Sequence, residues 1–204
     1  MGLLIDSYLL VSILSRMFYR FHTMERNLLC NRSLSNRFYI NSTMKPTPKP
    51  IKRSKELVPL SKEHHEGLLF GWKIKQGLRN GTDKTLISEF IQWFWEADLK
   101  NHFRKEEQVL AIHLPADNAL VQRMFEEHEQ IEALVRLGAT VQDEDIFTQL
   151  ADAIHNHIRF EERELFPYAE GVLPPTILVA ISTELLNETP NKRKWENEFW
   201  VNNQ

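Results

Sequence analysis

The 204-residue chain contains one cysteine, Cys30. A single thiol cannot close an intrachain disulfide or build a thiolate metal cluster, so any metal here is held by nitrogen and oxygen. Glycine is scarce, at 7 residues, and runs of alternating Val, Ile and Thr are few, which favours helix over sheet. The formal charge of only -3 gives no reason to expect nucleic acid as the partner. The apolar run at residues 9–14 is far shorter than the ~20 residues that span a bilayer. No Gly-rich phosphate loop, Ser/His/Asp order or Cys/His pair is present, which argues against nucleotide enzymes and hydrolases.

What is present is an ordinary globular balance of 42% hydrophobic and 26% charged residues, enough apolar material for one domain core. The first 43 residues stand apart, being rich in Arg, Ser and Leu with Asp6 and Glu25 as their only carboxylates. Arg16 and Arg20 follow the apolar run rather than precede it, unlike a signal peptide. We read residues 1–57 as an unstructured leader, with Met44 as an alternative start and a transit peptide as the rival reading. Residues 58–170 form the expected domain, and 171–204 a helical cap.

From residue 58 the apolar spacing is helical. The first stripe is Leu60, His64, Leu68, Gly71, Ile74 and Leu78, ending at "RNGTD" with Gly81 as a stop and Thr82 or Asp83 as the next N-cap. The second, over residues 84–112, carries Ile91, Phe94, Asp98, His102, Glu106 and Val109. A third joins Val121, Met124, His128, Ile131 and Val135, and is expected to stop at Gly138. The fourth opens at "QDED", runs through Ile146, Leu150, Ile154 (or Ala153), His157, Glu161 and Leu165, and is expected to end near Pro167. Short turns between four long helices predict an all-α, up-down-up-down four-helix bundle. A fifth helix over 175–187 should cap it, and "NKRKWENEFW" at 191–200 should form a short helix whose aromatics dock on the bundle.

Every one of the four stripes carries a histidine, and two carry a glutamate one turn later: His64, His102 with Glu106, His128, and His157 with Glu161. Residues i and i+4 project from one helix face. At ~1.5 Å of rise per residue, all six groups fall within one slab, roughly 9 to 16 Å from the same pole of an antiparallel bundle. Burying six titratable groups without partners costs several kcal/mol, since each uncompensated polar group costs ~1–3 kcal/mol. A cation coordinated by imidazoles and carboxylates removes that cost; a purely structural His–Glu network is the competing explanation. Nitrogen and oxygen donors without thiolate suit Fe, Mn or Zn.

The runs "EHHEGL", "HFRKEE", "EHEQI" and "HIRFEERELFP" resemble the four ligand-bearing helices of hemerythrin-like domains, also called HHE cation-binding domains. The resemblance implies a non-haem di-iron site in a four-helix bundle, bridged by carboxylates. Carried over position by position, it implies His64 (with His65 as rival), His102 and Glu106, His128, then His157 and Glu161 (with Glu162 as competitor). Where hemerythrins place a second histidine in the third helix this chain has Glu132, which either ligates or leaves a position open. Phe94, Phe103, Phe125 and Phe160 flank these residues as candidates to dry the pocket, or as plain core. The implied function is a cytoplasmic metal and small-ligand-binding protein, with two iron ions that bind or sense O2, NO or peroxide, or that handle iron. A di-iron peroxidase or ferroxidase is the alternative. His113 and His155 lie off the stripes and are expected to face solvent; Arg104 and Arg159 sit off the ligand face, either at the surface or as partners behind the ligands.

Overall fold

The computed structural model describes residues 53–187 and 194–201; the remainder of the leader lies outside them. Five helices, with no strand among the described residues, run in the expected order. We number them α1 (Val58–Arg79), α2, α3 (Ala119–Val141), α4 and α5 (Pro175–Asn187). α2 is continuous from Lys84–Phe94 through a π turn (Trp95–Leu99), Lys100–Lys105, a second π turn (Glu106–Leu110) and a 3-10 turn (Ala111–His113). α4 runs from Glu144–Phe160 through a π turn (Glu161–Leu165) into Phe166–Val172.

The helix starts follow from side-chain caps. Asp83 accepts the Thr85 amide (2.7 Å), Asn118 that of Leu120 (2.8 Å) and Asp143 that of Asp145 (2.7 Å), each satisfying an N–H that has no partner inside its helix. The stop after α1 is Gly81, whose φ of 68° suits a residue without a side chain. Two expected ends are corrected. Gly138 does not stop α3, which continues to Val141; a Cβ there would lie 3.3 Å from the Phe147 ring, so this glycine makes room for a core aromatic. Pro167 does not end α4 either. It follows the π turn, where the pairing shifts to i→i+5 and a residue without an N–H costs the helix little.

Each helix packs on its sequence neighbour and α1 closes the ring against α4, as a four-helix bundle requires. α1 approaches α4 closely because small residues face the seam: a Cβ on Gly71 would sit 3.3 Å from the Ala151 carbonyl oxygen. Two apolar clusters fill the interior. One centres on Phe70, Ile74, Phe90, Ile91, Phe147 and Leu150. The other joins Leu60, Met124, Leu165 and Phe166 to Leu178, Ile181 and Leu185 of α5, which caps that end as expected. Residues 194–201 do bring Trp195, Phe199 and Trp200 onto the Phe70 cluster, but without forming the expected helix. They are held by Asn80, whose side-chain amide donates to the Phe199 carbonyl (3.2 Å), and by ring contacts with Phe90. Among the described residues no helix is long and apolar enough to cross a membrane.

Candidate metal centre

Between the two apolar clusters the bundle core turns polar. His64, His102, His128 and His157 are 2–6% exposed, and Glu106 and Glu161 are completely buried. They form two overlapping groups, His64–His102–Glu106–Glu161 and Glu106–His128–His157–Glu161, in each of which the donor atoms lie within 4.8 Å of one another. Both glutamates belong to both groups. Glu106 Oε1 lies 3.3 Å from Nε2 of His64 and of His102, while its Oε2 lies 3.3 Å from Nε2 of His128. Glu161 Oε2 stands 3.1 Å from His64 Nε2 and 3.3 Å from His157 Nε2. Two of the three π turns begin at these two glutamates, so the helices are locally rewound where the carboxylates enter the core.

What aims the imidazoles inward is a second set of carboxylates. His64 Nδ1 meets Glu162 (2.7 Å), His102 Nδ1 meets Glu63 (2.9 Å), His128 Nδ1 meets Glu107 (2.7 Å) and His157 Nδ1 meets Glu127 (2.9 Å). An ionised carboxylate only accepts, so each Nδ1 donates outward and each ring turns its Nε2 to the centre. Every such glutamate comes from the preceding helix in the ring: α1 serves α2, α2 serves α3, α3 serves α4 and α4 serves α1. Three of them are in turn held by cations, Glu162 by Arg53 (2.8 Å), Glu63 by Lys105 (2.6 Å) and Glu127 by Arg123 (2.7 Å). Ring faces are packed too. Phe103 stacks on His128 at 3.8 Å between centroids and Phe166 on His64 at 5.3 Å.

With protons alone to balance the charges, burial disfavours the imidazolium of His128. Its close contact with Glu106, its hydrogen bond to Glu107 and the charges of Glu106 and Glu161 outweigh it and raise the group to about 9. His64 is likewise raised well above the ordinary range, against burial, by Glu106, Glu161 and Glu162. Burial works against the Glu106 anion as well, yet His102, His128 and His64 hold its carboxyl well below the ordinary range. Glu162 falls to about 2 because its bonds to His64 and Arg53 overcome burial.

The donor set fits a cation. His102 Nε2, Glu106 Oε2 and both oxygens of Glu161 are buried without a hydrogen-bond partner. Unpaired nitrogen lone pairs and anionic oxygens converging in a dry core are what a metal ion satisfies, and imidazole with carboxylate suits iron, manganese or zinc. A model of the hemerythrin HHE cation-binding domain matches residues 60–169. The chain belongs to this family. No curated protein and no solved structure matches it significantly. The hemerythrin HHE match covers all four inward histidines and both buried glutamates.

One expected residue stands elsewhere. Glu132 is half exposed and pairs with Arg136 (2.6 Å) on the outer face of α3, away from both groups. The rivals are also located: His65 is exposed, and Glu162 holds His64 from outside rather than joining the two groups. His113 and His155 are exposed, as expected, and so are Arg104 and Arg159. Of the flanking phenylalanines, Phe125 is 40% exposed, whereas Phe94, Phe103 and Phe160 are buried. Sequence reading missed Glu63, Glu107 and Glu127. Their signal was adjacency, because "EH" at 63–64 and 127–128 and "EE" at 106–107 and 161–162 place each beside an inward residue.

Proposed function

We propose that this hemerythrin HHE protein binds two iron ions, one in each overlapping group, and through them a small ligand: O2, NO or peroxide. The sharing of Glu106 and Glu161 by both groups carries the reading, since two carboxylates common to four inward Nε2 atoms suit a pair of cations rather than one. Iron held by these residues would supply electrons and open coordination positions to such a ligand. The chain's own residues do the rest. Glu63, Glu107, Glu127 and Glu162 fix the imidazoles, Glu106 and Glu161 balance the positive charge, and Phe103 and Phe166 keep water off two of the rings. A cavity of about 640 Å3 between α1, α2 and α4 reaches His64, His102 and His157, with Phe94, Phe103 and Ile158 in its walls, and gives a small molecule its route.

Binding or sensing is favoured over turnover. An extra carboxylate at Glu132 would loosen a histidine shell and favour oxidative turnover, but Glu132 stands outside the groups. The test is metal content per chain in protein purified without added metal, beside His102→Ala and Glu161→Ala. About two irons per wild-type chain, lost in both variants, support the reading, and a stable adduct with O2 or NO separates binding from rapid oxidation by peroxide. No iron in a chain whose helical content and melting are normal sinks it.

A further inference from the structure

The segment ahead of the bundle contains a buried arginine. Arg53 precedes α1 and lies outside the residues matched to the family, yet its side chain is 7% exposed. Nη2 donates to the Glu162 carboxylate (2.8 Å) and to the Glu162 backbone carbonyl (2.6 Å), while Nη1 donates to Glu170 (3.3 Å). The next residue adds an anchor, the Ser54 amide donating to Glu170 at 2.8 Å. The guanidinium also lies over the Phe166 ring, 5.0 Å from its centroid.

Two of the three groups that Arg53 touches hold His64. Glu162 bonds its Nδ1 at 2.7 Å, and Phe166 stacks parallel on its face with 10° between the planes. A ring fixed in plane by one contact and across its face by the other has no freedom left to swing. Resting on the reading that the cluster binds cations, we propose that Arg53 is a positioning residue of the metal centre, which through Glu162 and Phe166 keeps His64 Nε2 trained on Glu106 and Glu161. The leader's last residues are then part of the site, although the bundle holds all its inward donors. The planar guanidinium is the reason for arginine: Nη2 reaches the carboxylate and the carbonyl of Glu162 while Nη1 reaches Glu170 and the plane lies over Phe166, which a single ammonium nitrogen cannot match.

The experiment uses the full chain loaded with Co2+, whose visible spectrum reports ligand geometry, with affinity read by competition against a chelator. Arg53→Met keeps the stem and removes the fork; it should weaken Co2+ binding about tenfold, as loss of a ligand's supporting bond does, and alter the Co2+ spectrum. Arg53→Lys should recover only part of the affinity. Glu170→Gln loosens the anchor but spares both contacts to Glu162, and should change affinity less than about twofold. In a Glu162→Gln background Arg53→Met should add little, because both act on one imidazole. Arg53→Met with wild-type affinity and spectrum, and only a lower melting temperature, would show Arg53 to be a structural clip and overturn the inference alone. An effect of Glu170→Gln as large as that of Arg53→Met would overturn it too. If Arg53→Met does not fold, full affinity and an unchanged spectrum in Arg53→Lys overturn it instead. A wild-type chain that takes up no Co2+ overturns the cation reading itself.

Discussion

Replacing Glu161 by glutamine changes one atom and removes one charge shared by both groups. Neither Glu161 oxygen has a hydrogen-bond partner, and any cation among donors within 4.8 Å of one another lies within that distance of it. A divalent ion about 5 Å from a carboxylate gains about 7 kcal/mol at an effective dielectric of about 20. Allowing the amide dipole and local relaxation to recover half, about 3 kcal/mol or some two orders of magnitude in affinity is lost. The same change at Glu132, which is 44% exposed and paired with an Arg136 that is 66% exposed, touches an ion pair worth about 0–1 kcal/mol and should leave affinity intact. Stability should respond differently. In chelator at pH 8 the amide preserves volume and the facing imidazoles can shed their protons, so Glu161→Gln should shift unfolding by less than about 1.5 kcal/mol. Chelator competition gives the affinity and urea titration the stability. Glu161→Gln binding within tenfold of wild type, or Glu132→Gln losing as much as Glu161→Gln, would refute the placement of charge argued here.

Other perturbations bear on different parts of the molecule. The metal-free protein should be most stable near pH 4.5–6.5. His128, raised to about 9 from 6.5, contributes fully below 6.5 and loses its contribution as pH rises through 9, whereas Glu162, lowered to about 2 from 4.5, contributes above 4.5 and loses its part as pH falls toward 2. Cation affinity should run the other way and climb toward pH 9, with proton release visible as buffer-dependent calorimetric heats; affinity that does not change from pH 6 to 9 contradicts it. Phe199→Ala empties the space against Gly77 and Phe90 and should cost about 3 kcal/mol by urea titration with metal content unchanged. Gly71→Val drives a branched side chain at the Ala151 carbonyl, 3.3 Å from the first added carbon; it should cost about 1–3 kcal/mol and melt lower, since backbone cannot step aside.

The bundle was legible because its apolar residues recur at helical spacing, and the inward histidines because they sit on those same stripes. The six converging groups follow from helix arithmetic alone. The helix ends that misled did so for a physical reason. Gly138 and Pro167 carry stop signals locally, but one is spent on clearance for Phe147 and the other sits at the exit of a π turn. A trace of the π turns was present in the second stripe: Phe94, Asp98, His102 and Glu106 follow in steps of four, each advancing ~40° beyond a full turn of a regular helix. Only a locally wider turn keeps such a series near one face. Arg53 was illegible, since a basic residue in a Pro-rich leader gives no sign of the distant Glu162 it grips. Glu132 misled because the family pattern placed a donor there, while the helix turns that position toward Arg136 and solvent.

The phrase His-x-Arg-x-Glu-Glu, written once in α2 and once in α4, has two jobs in its last two letters. Glu106 and Glu161 turn inward to both groups, and Glu107 and Glu162 reach sideways to the histidine of the next helix. The "EH" pairs of α1 and α3 do the same with the order reversed: His64 and His128 turn inward, while Glu63 and Glu127 reach across. Each helix therefore gives one carboxylate to a neighbour and takes one from the other side, and the ring closes only when all four stand in one register. A one-residue slip of any helix would break both the pair it gives to and the pair it takes from, leaving two Nδ1 groups and two carboxylates unmatched at the edge of a dry core, at about 1–3 kcal/mol for each neutral group and more for a charge. The polar layer that prepares the bundle for cations thus also discriminates against misaligned bundles, which the apolar clusters on either side, tolerant of hydrophobic repacking, do far less sharply.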